Sequence, residues 1–170
     1  MTIDELDALT ATDAESALRA CCGSSRWVSE MVSGRPFGTF DALLGAANEA
    51  WSRTGPDDWL EAFSHHPRIG QSAGAAAQSA RASAWSAGEQ AAAKLGHSDA
   101  QQRLSEMNRR YEDRFGHIYI ICATGRTADE MLRIAEERLG NDPDTELRIA
   151  AEEQRKITEL RLRKLIEDHT

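Results

Sequence analysis

The sequence predicts an all-α protein, a single-domain helical bundle of about eight to ten helices. Alanine, the best helix former, occurs 27 times, whereas valine occurs twice and isoleucine nine times, so residues that favour a pleated sheet are scarce. Recurring Ser/Thr-x-x-Glu/Gln capping boxes mark helix starts, because the two side chains satisfy backbone amides that a helix leaves free. A chain of 170 residues, 41% of them hydrophobic, suits one core, which predicts one domain over residues 1–170.

Prolines and glycines mark further helix starts and ends. Pro56 and Pro143 suit first-turn positions, where a proline loses no hydrogen bond, and Gly116 and Gly140 suit helix ends. The capping boxes pair Thr2 with Glu5, Thr12 with Glu15, Ser86 with Glu89, Ser98 with Gln101, and Thr127 with Glu130. The predicted helices span residues 3–10, 13–21, 25–33, 39–53, 56–63, 73–83, 87–95, 99–115, 128–139 and 143–167.

Two segments depart from a plain helical pattern, and an Ala-rich stretch follows the first of them. Residues 65–70 contain Pro67 and Gly70, which predict a turn. Residues 117–123 form an apolar run that fits either a buried extended piece or a buried helical turn. Residues 71–93 contain eleven alanines and fit either a low-complexity spacer or a thin helix; we predict ordered helix.

The charge balance excludes several kinds of partner. The formal charge is −8 and no basic cluster stands out, which argues against nucleic acid and anionic membranes. No apolar run reaches the ~18–20 residues of a membrane helix, and the start resembles no secretory signal, so we expect a cytoplasmic protein. Cys21, Cys22 and Cys122 form no CxxC pair and are expected to be free thiols.

His66 is the first candidate for chemistry. It stands beside Pro67 in the predicted turn, where backbone constraint holds it, and histidine titrates near neutral pH. A structural role, or a surface pair with His65, is the commoner explanation of an isolated turn histidine. A metal site would need a second ligand at helical spacing, as in HExxH, and the other histidines provide none.

Ser86 and Glu89 form a capping box, and a cap alone would explain both residues. Gly88 would then lie in the first helical turn, where it costs roughly 1 kcal/mol relative to alanine. The close approach of another group to that turn would explain the glycine. The free amides of a helix N-terminus also suit an anion or a polar ring.

Arg161 lies near the centre of an apolar arc on the last predicted helix and should point inward. A buried guanidinium needs a carboxylate, carbonyls or an anionic ligand, so a structural ion pair and substrate binding both stay open. Asn108 lies similarly on an apolar face, where a buried network or a loop tether is favoured. The arc is defined by Ala150, Gln154, Ile157, Leu160 and Leu165, with Glu153 and Lys164 near its edge.

Four motifs follow one another along the chain: HPRIG at 66–70, Ser-x-x-Glu-Gln at 86–90, Leu-x-x-x-Asn-x-x-Tyr-x-x-x-Phe-Gly at 104–116, and the closing residues Arg138, Asn141, Glu146, Lys156-Ile157 and Arg161-Leu162. Together they resemble the family of 2-oxo-4-hydroxy-4-carboxy-5-ureidoimidazoline (OHCU) decarboxylases. The resemblance covers residues 8–167 and is specific, because separated motifs in one order rarely coincide.

The resemblance implies an all-helical, usually dimeric carboxy-lyase of uric acid degradation. Such an enzyme needs no metal or organic cofactor and yields (S)-allantoin and CO₂ from a small-molecule substrate. Members in peroxisomes end in a targeting tripeptide that residues 168–170 do not match. Association with the upstream hydrolase that makes the unstable substrate is left open.

The resemblance also implies roles for individual residues. His66 matches the catalytic histidine and Glu89 its paired acid, while Arg161 matches a basic residue of the pocket. The Ala-rich stretch 73–84 matches no motif. The remaining implied contacts with substrate are Pro67, polar contacts of Ser86 and Gln90 to the ring and ureido group, and a pocket wall whose backbone groups belong to Ile121, Cys122 and Ala123.

The residue types fit a decarboxylation in which the substrate supplies its own electron sink, a ring C=N next to the carboxyl-bearing carbon. The protein then needs a proton-transfer group, a partner for it and a cation, and His66, Glu89 and Arg161 meet these needs. A non-catalytic helical module that binds a purine-derived ureide is the alternative, and the presence of both His66 and Glu89 argues against it. A purely structural adaptor leaves the inward Arg161 and Asn108 without a purpose beyond buried polar bonding.

Overall fold

A computed structural model describes residues 1–69, 80–92 and 98–167. Within these ranges the chain forms nine helices and no strand, which confirms the all-α prediction. The helices are α1 (Ile3–Ala8), α2 (Ala11–Cys21), α3 (Ser25–Ser33), α4 (Phe40–Ser52), α5 (Pro56–Ser64), α6 (Ala80–Ala92), α7 (Ser98–Phe115), α8 (Ala128–Arg138) and α9 (Pro143–Glu167). None of the helices in the described part is long and apolar enough to cross a membrane.

The chain divides into two compact units. The first unit combines residues 1–62 with the residues from Arg155 onward, and the second comprises Phe63–Gln154. Helix α9 therefore contributes its first half to the second unit and its second half to the first. One domain over residues 1–170 stays a prediction.

The first unit packs α1–α5 and the end of α9 around large side chains. The Trp27 indole Nε1 donates to the Ala47 carbonyl at 3.0 Å, which satisfies the polar atom of a fully buried ring. The Asp7 carboxylate accepts from the Phe37 and Gly38 amides at 2.9 Å and so fixes the connection between α3 and α4. The core of this unit includes Leu6, Leu18, Trp27, Val28, Met31, Leu43, Trp51, Leu162 and Leu165.

The second unit has an apolar core that surrounds a buried polar cluster, the Arg138 cluster, made of Tyr111, Arg138, Asn141 and Glu146. The Arg138 Nε donates to Glu146 Oε1 at 2.7 Å, Asn141 Nδ2 donates to Glu146 Oε2 at 3.0 Å, and the Tyr111 hydroxyl also donates to Glu146. The surrounding core comprises Ile69, Leu104, Met107, Tyr111, Tyr119, Ile121, Ala123, Ala128, Met131, Leu132 and Ala135.

Protonation states in the Arg138 cluster follow from burial and charge. Burial raises the pKa of Tyr111, so its hydroxyl keeps its proton and serves as a donor to Glu146. Burial disfavours the charged form of Arg138, but the hydrogen bond to Glu146 and the neighbouring charges prevail and raise the pKa of the guanidinium. The cluster therefore contains a complete ion pair with additional donors, the arrangement that makes buried charge tolerable.

Local signals predicted several helix ends. Thr2 with Glu5 and Thr127 with Glu130 form complete capping boxes. Pro56 and Pro143 are the first residues of α5 and α9, and Gly116 follows α7 with φ of 75°. Gly140 follows the end of α8, with its amide bonded to the Glu137 carbonyl.

Two other helices begin at different residues from those that the capping boxes predicted. The box of Thr12 with Glu15 is wrong, because Thr10 caps α2 and accepts from the Asp13 amide. Helix α7 begins at Ser98 itself, whereas the predicted box placed Ser98 before the helix. The side chains of Ser98 and Gln101 are not among the described ones.

The prediction of separate helices at 73–83 and 87–95 is wrong within the described residues. Helix α6 runs unbroken from Ala80 to Ala92, so Ser86 lies in its interior and does not cap it. The alanines on both sides have enough helix propensity to carry Ser86 and Gly88 through the helix. The residues 70–79 and 93–97, on which the rest of this prediction falls, lie outside the described part.

We expect removal of Arg138 alone to destabilise the protein strongly. Arg138→Met leaves the Glu146 carboxylate buried without its cation and should lower the free energy of unfolding by about 3–5 kcal/mol in urea titration. Arg133→Met is the matched control on α8, because its 2.7 Å pair with Glu137 is exposed and should change stability by less than about 1 kcal/mol. Equal losses in the two variants would contradict the role given to the Arg138 cluster.

Candidate active site

The turn that carries His66 is held on both sides of the histidine. The His66 amide donates to the Phe63 carbonyl at 3.0 Å, which closes the turn after α5. Downstream, Ile69 is buried in the core of the second unit, and Asn108 Nδ2 donates to its carbonyl at 2.8 Å. Asn108 is itself buried, so the predicted loop tether is confirmed.

The His66 imidazole contacts the buried amide of Gln154. Its Nε2 lies 2.7 Å from Gln154 Oε1, and Gln154 is fully buried on α9. The ring itself is half-buried, as is the adjacent Pro67. The turn therefore offers a titratable ring that is oriented by a neutral group on a rigid helix.

Residues 117–123 form a largely buried segment without regular secondary structure, which excludes the buried helical turn among the two predicted alternatives. Ile121 and Ala123 are buried, and Cys122 is half-buried. Side chains satisfy the backbone of this segment: Arg138 donates to the Ile120 carbonyl at 2.9 Å, and the Cys122 amide donates to Glu153 Oε2 at 2.8 Å.

Helix α6 places an acid near this segment. Ser86 and Glu89 are three residues apart and so share a face of α6; Ser86 is buried and Glu89 half-buried. Burial raises the pKa of the Cys122 thiol, and the negative charges of Glu153 and Glu89 act in the same direction.

Two predictions for the same stretch of α6 are wrong. The helix starts at Ala80, so residues 86–89 offer no free N-terminal amides for an anion. No described atom lies within 4 Å of a Cβ placed on Gly88, so the close approach expected there is absent from the described residues. The side chain of Gln90 lies outside the description.

Arg161 points inward as predicted, and it belongs to the first unit. It is 3% exposed, and its Nη1 donates to the Ala20 carbonyl at 3.4 Å. Burial raises the pKa of the neighbouring Cys22 thiol to about 11, although the positive charge of Arg161 acts to lower it. A backbone carbonyl is thus one of the partners of this guanidinium, an arrangement that the sequence analysis left open beside a carboxylate and a ligand.

Two site residues were not identified from the sequence. Gln154 lies on the predicted inward arc and Glu153 at its edge, but neither was given a role. The signal that singled out Arg161, a polar side chain within an apolar arc, applies equally to Gln154.

The described residues contain no group of three or more His, Cys, Asp or Glu side chains that could hold a metal ion.

An open groove of about 440 Å³ lies between α7 and α8 and contains none of the predicted site residues. Charged side chains of both signs line the groove, among them Arg103, Arg109, Asp99, Glu106 and Glu136. Arg109 pairs with Glu106, and Arg103 lies 3.6 Å from Asp129. This mixture favours no single ligand.

Comparison with known proteins gives consistent matches. Residues 7–163 match the family model described as OHCU decarboxylase. The chain is 41% identical over 154 residues to the Uric acid degradation bifunctional protein TTL of Arabidopsis thaliana. This match covers 91% of this chain and 48% of that protein. It is 34% identical over 140 residues to 2-oxo-4-hydroxy-4-carboxy-5-ureidoimidazoline decarboxylase of Amia calva. This second match covers 79% of this chain and 77% of that protein.

A solved structure is also similar. It is described as the crystal structure of OHCU decarboxylase in the presence of (S)-allantoin, with a TM-score of 0.76 and 41% identity over 88% of this chain and 96% of that chain. The chain spans about half the length of the Arabidopsis relative.

We expect Asn108→Ala to loosen the turn that carries His66. The change leaves the buried Ile69 carbonyl without this donor and should lower the free energy of unfolding by about 1–3 kcal/mol. Amide hydrogen exchange of His66, Arg68 and Ile69 should accelerate. Gln102→Ala, at an exposed position of the same helix, should alter neither quantity, and a similar response of the two variants would refute the tether.

Proposed function

The chain belongs to the OHCU decarboxylase family, and we propose that it catalyses the cofactor-independent decarboxylation of OHCU to (S)-allantoin and CO₂ in uric acid degradation. The observation that carries the proposal is the half-buried His66, held in its turn and oriented by Gln154 in the same unit that contains Glu89. The Arabidopsis relative is named for uric acid degradation, and the similar crystal structure was obtained with (S)-allantoin.

The reaction has a balanced course that requires no external electron acceptor. The bond between the ring carbon and its carboxylate breaks, and its electron pair forms a C=C bond to the neighbouring carbon. The π electrons of the adjacent C=N move to the ring nitrogen, which takes up a proton, so that CO₂ leaves and an enol-like intermediate remains. The intermediate then loses the proton of its hydroxyl as the product carbonyl forms, and the neighbouring carbon gains a proton. The protein must move protons and hold negative charge, and each task suits an ordinary side chain.

His66 and Glu89 are proposed to carry the proton chemistry. A histidine can accept and return a proton near neutral pH, and a carboxylate nearby can set its charge and orientation. Delivery of the proton from one side of the intermediate would produce a single configuration at the new centre, whereas delivery from solvent would produce both. Glu89 lies within α6 and is not the acidic member of a cap with Ser86, which is consistent with the proposed catalytic role.

The remaining contacts are proposed from the family resemblance. Pro67 borders the substrate beside His66, and Ser86 and Gln90 bind the ring and ureido group. Backbone groups of the wall residues Ile121, Cys122 and Ala123 are proposed to contact the substrate, with the Cys122 amide itself held by Glu153. Arg161 is proposed to bind the anionic substrate, as the family resemblance implies, because a planar guanidinium can make paired hydrogen bonds to a carboxylate.

Partners and location are proposals of the same kind. We propose a homodimer, a cytoplasmic location and no resident cofactor, as the family resemblance implies. An association with the upstream hydrolase is consistent with the name of the Arabidopsis relative, a bifunctional protein of which this chain spans 48%.

The proposed function predicts that His66→Gln folds normally and loses activity by ~10²–10⁴-fold. Glu89→Gln should also lower the rate while leaving the melting temperature unchanged, because Glu89 caps no helix. The assay follows loss of the ultraviolet absorbance of freshly made OHCU and the handedness of the allantoin, with and without a strong chelator. A folded His66→Gln protein at parental rate would remove the assignment; a parental protein that binds the ureide without turnover would indicate the binding-module alternative.

Arg161 separates a role in substrate binding from a structural one. Arg161→Lys keeps the charge but loses the planar fork, so it should weaken substrate use. Arg161→Met should abolish substrate binding and leave the fold intact, since the side chain lies in an apolar arc. Melting curves and apparent substrate affinity are measured for both. A loss of about 3–5 kcal/mol in Arg161→Met, or unchanged turnover at low substrate, would take Arg161 out of the site.

A further inference from the structure

We propose that Gln154 is a positioning residue that holds the His66 imidazole in the tautomer with its proton on Nε2, so that the basic lone pair lies on Nδ1. The inference deepens the proposed function, because it names the ring atom through which His66 would exchange protons with substrate. It rests on the 2.7 Å contact between the His66 Nε2 and Gln154 Oε1.

The burial of Gln154 makes the contact directional. A fully buried side-chain amide must have its oxygen matched with a donor and its NH₂ with acceptors, because an unmatched buried polar group is costly. An amide oxygen cannot donate, so an imidazole nitrogen 2.7 Å from it must carry the hydrogen. In a neutral ring the lone pair then falls to the other nitrogen, Nδ1.

The position of Gln154 on α9 makes the contact rigid. The preceding residue, Glu153, accepts from the Cys122 amide at 2.8 Å, so neighbouring residues of one helix hold both the imidazole and the proposed pocket wall. A side chain on a packed helix positions a partner more precisely than one on a loop. His66 sits on a turn, and Gln154 therefore provides the rigid reference for its ring.

The neutrality of the amide suits a group that must exchange protons. A carboxylate at position 154 would stabilise the imidazolium and keep the ring protonated to higher pH. The amide oxygen accepts from Nε2 in both the neutral ring and the imidazolium, so orientation persists while Nδ1 gains a proton and returns it. Nε2 keeps its proton throughout, and the ring ends each cycle in its starting state.

The first test measures the tautomer directly and requires no turnover. Long-range ¹H–¹⁵N spectra of the ¹⁵N-labelled full chain distinguish a protonated from an unprotonated ring nitrogen, and His66→Gln identifies the signals of His66. We expect a pyrrole-like Nε2 and a pyridine-like Nδ1 in the neutral ring. The reverse pattern, in which the Gln154 NH₂ group faces Nε2, would overturn the inference, as would a mixture of the two tautomers.

The second test uses three variants. Gln154→Glu should move the acid limb of the pH–rate profile to higher pH by about one unit, so its rate is low at neutral pH and recovers on alkalinisation. Gln154→Leu should lower kcat by about tenfold or more with KM changed less than about twofold, and its His66 should populate both tautomers. Gln102→Leu, an amide-to-leucine change at an exposed position, should match the parent in rate and spectrum.

The two tests separate this inference from the proposed function. A parental protein without decarboxylase activity but with the expected tautomer would refute the function and support the positioning role. An active protein whose pH–rate profile is unchanged in Gln154→Glu would retain the function and refute the role of Gln154. If Gln154→Leu fails to fold, the spectra of the parental protein still decide the tautomer.

Discussion

A buried segment without regular secondary structure must find hydrogen-bond partners outside its own backbone, and residues 117–123 of the second unit are such a segment. Their partners include charged side chains, Arg138 for the Ile120 carbonyl and Glu153 for the Cys122 amide. Arg138 can remain buried because Glu146 neutralises it. The position of the proposed pocket wall thus depends on an ion pair that does not belong to the wall, and the Arg138 cluster serves geometry as well as stability.

Helix α9 supplies the acidic and amide groups in this arrangement. Glu146 and Glu153 are two turns apart, so they lie on one face of α9 and control the wall at two points, through Arg138 and at Cys122. Gln154 follows directly and holds His66. A shift in the register of α9 would therefore displace the wall and the histidine together. Such coupling favours a helix with a well-defined start, which Pro143 at its first position provides.

Much of the fold could be predicted because its signals are local. A capping box such as Thr127 with Glu130, or a first-turn proline such as Pro143, acts within one helical turn and needs no knowledge of tertiary packing. The same local pattern misled at Ser86, where an equally good box lies inside α6. A capping box stabilises a start only where the preceding residues leave the helix, and the alanines before Ser86 do not.

The candidate site was less predictable because its pairs are distant along the chain; His66 and Gln154 are 88 residues apart. Helical periodicity identified the polar side chains that point inward, Asn108 and Arg161 among them. Periodicity carries no information on what an inward group meets, since that depends on the packing of other elements. Asn108 donates to a backbone carbonyl, so it affects the conformation of a turn. Gln154 contacts an imidazole ring, so it also affects which ring nitrogen carries the proton. Two chemically similar amides therefore differ in consequence because the fold gives them different partners.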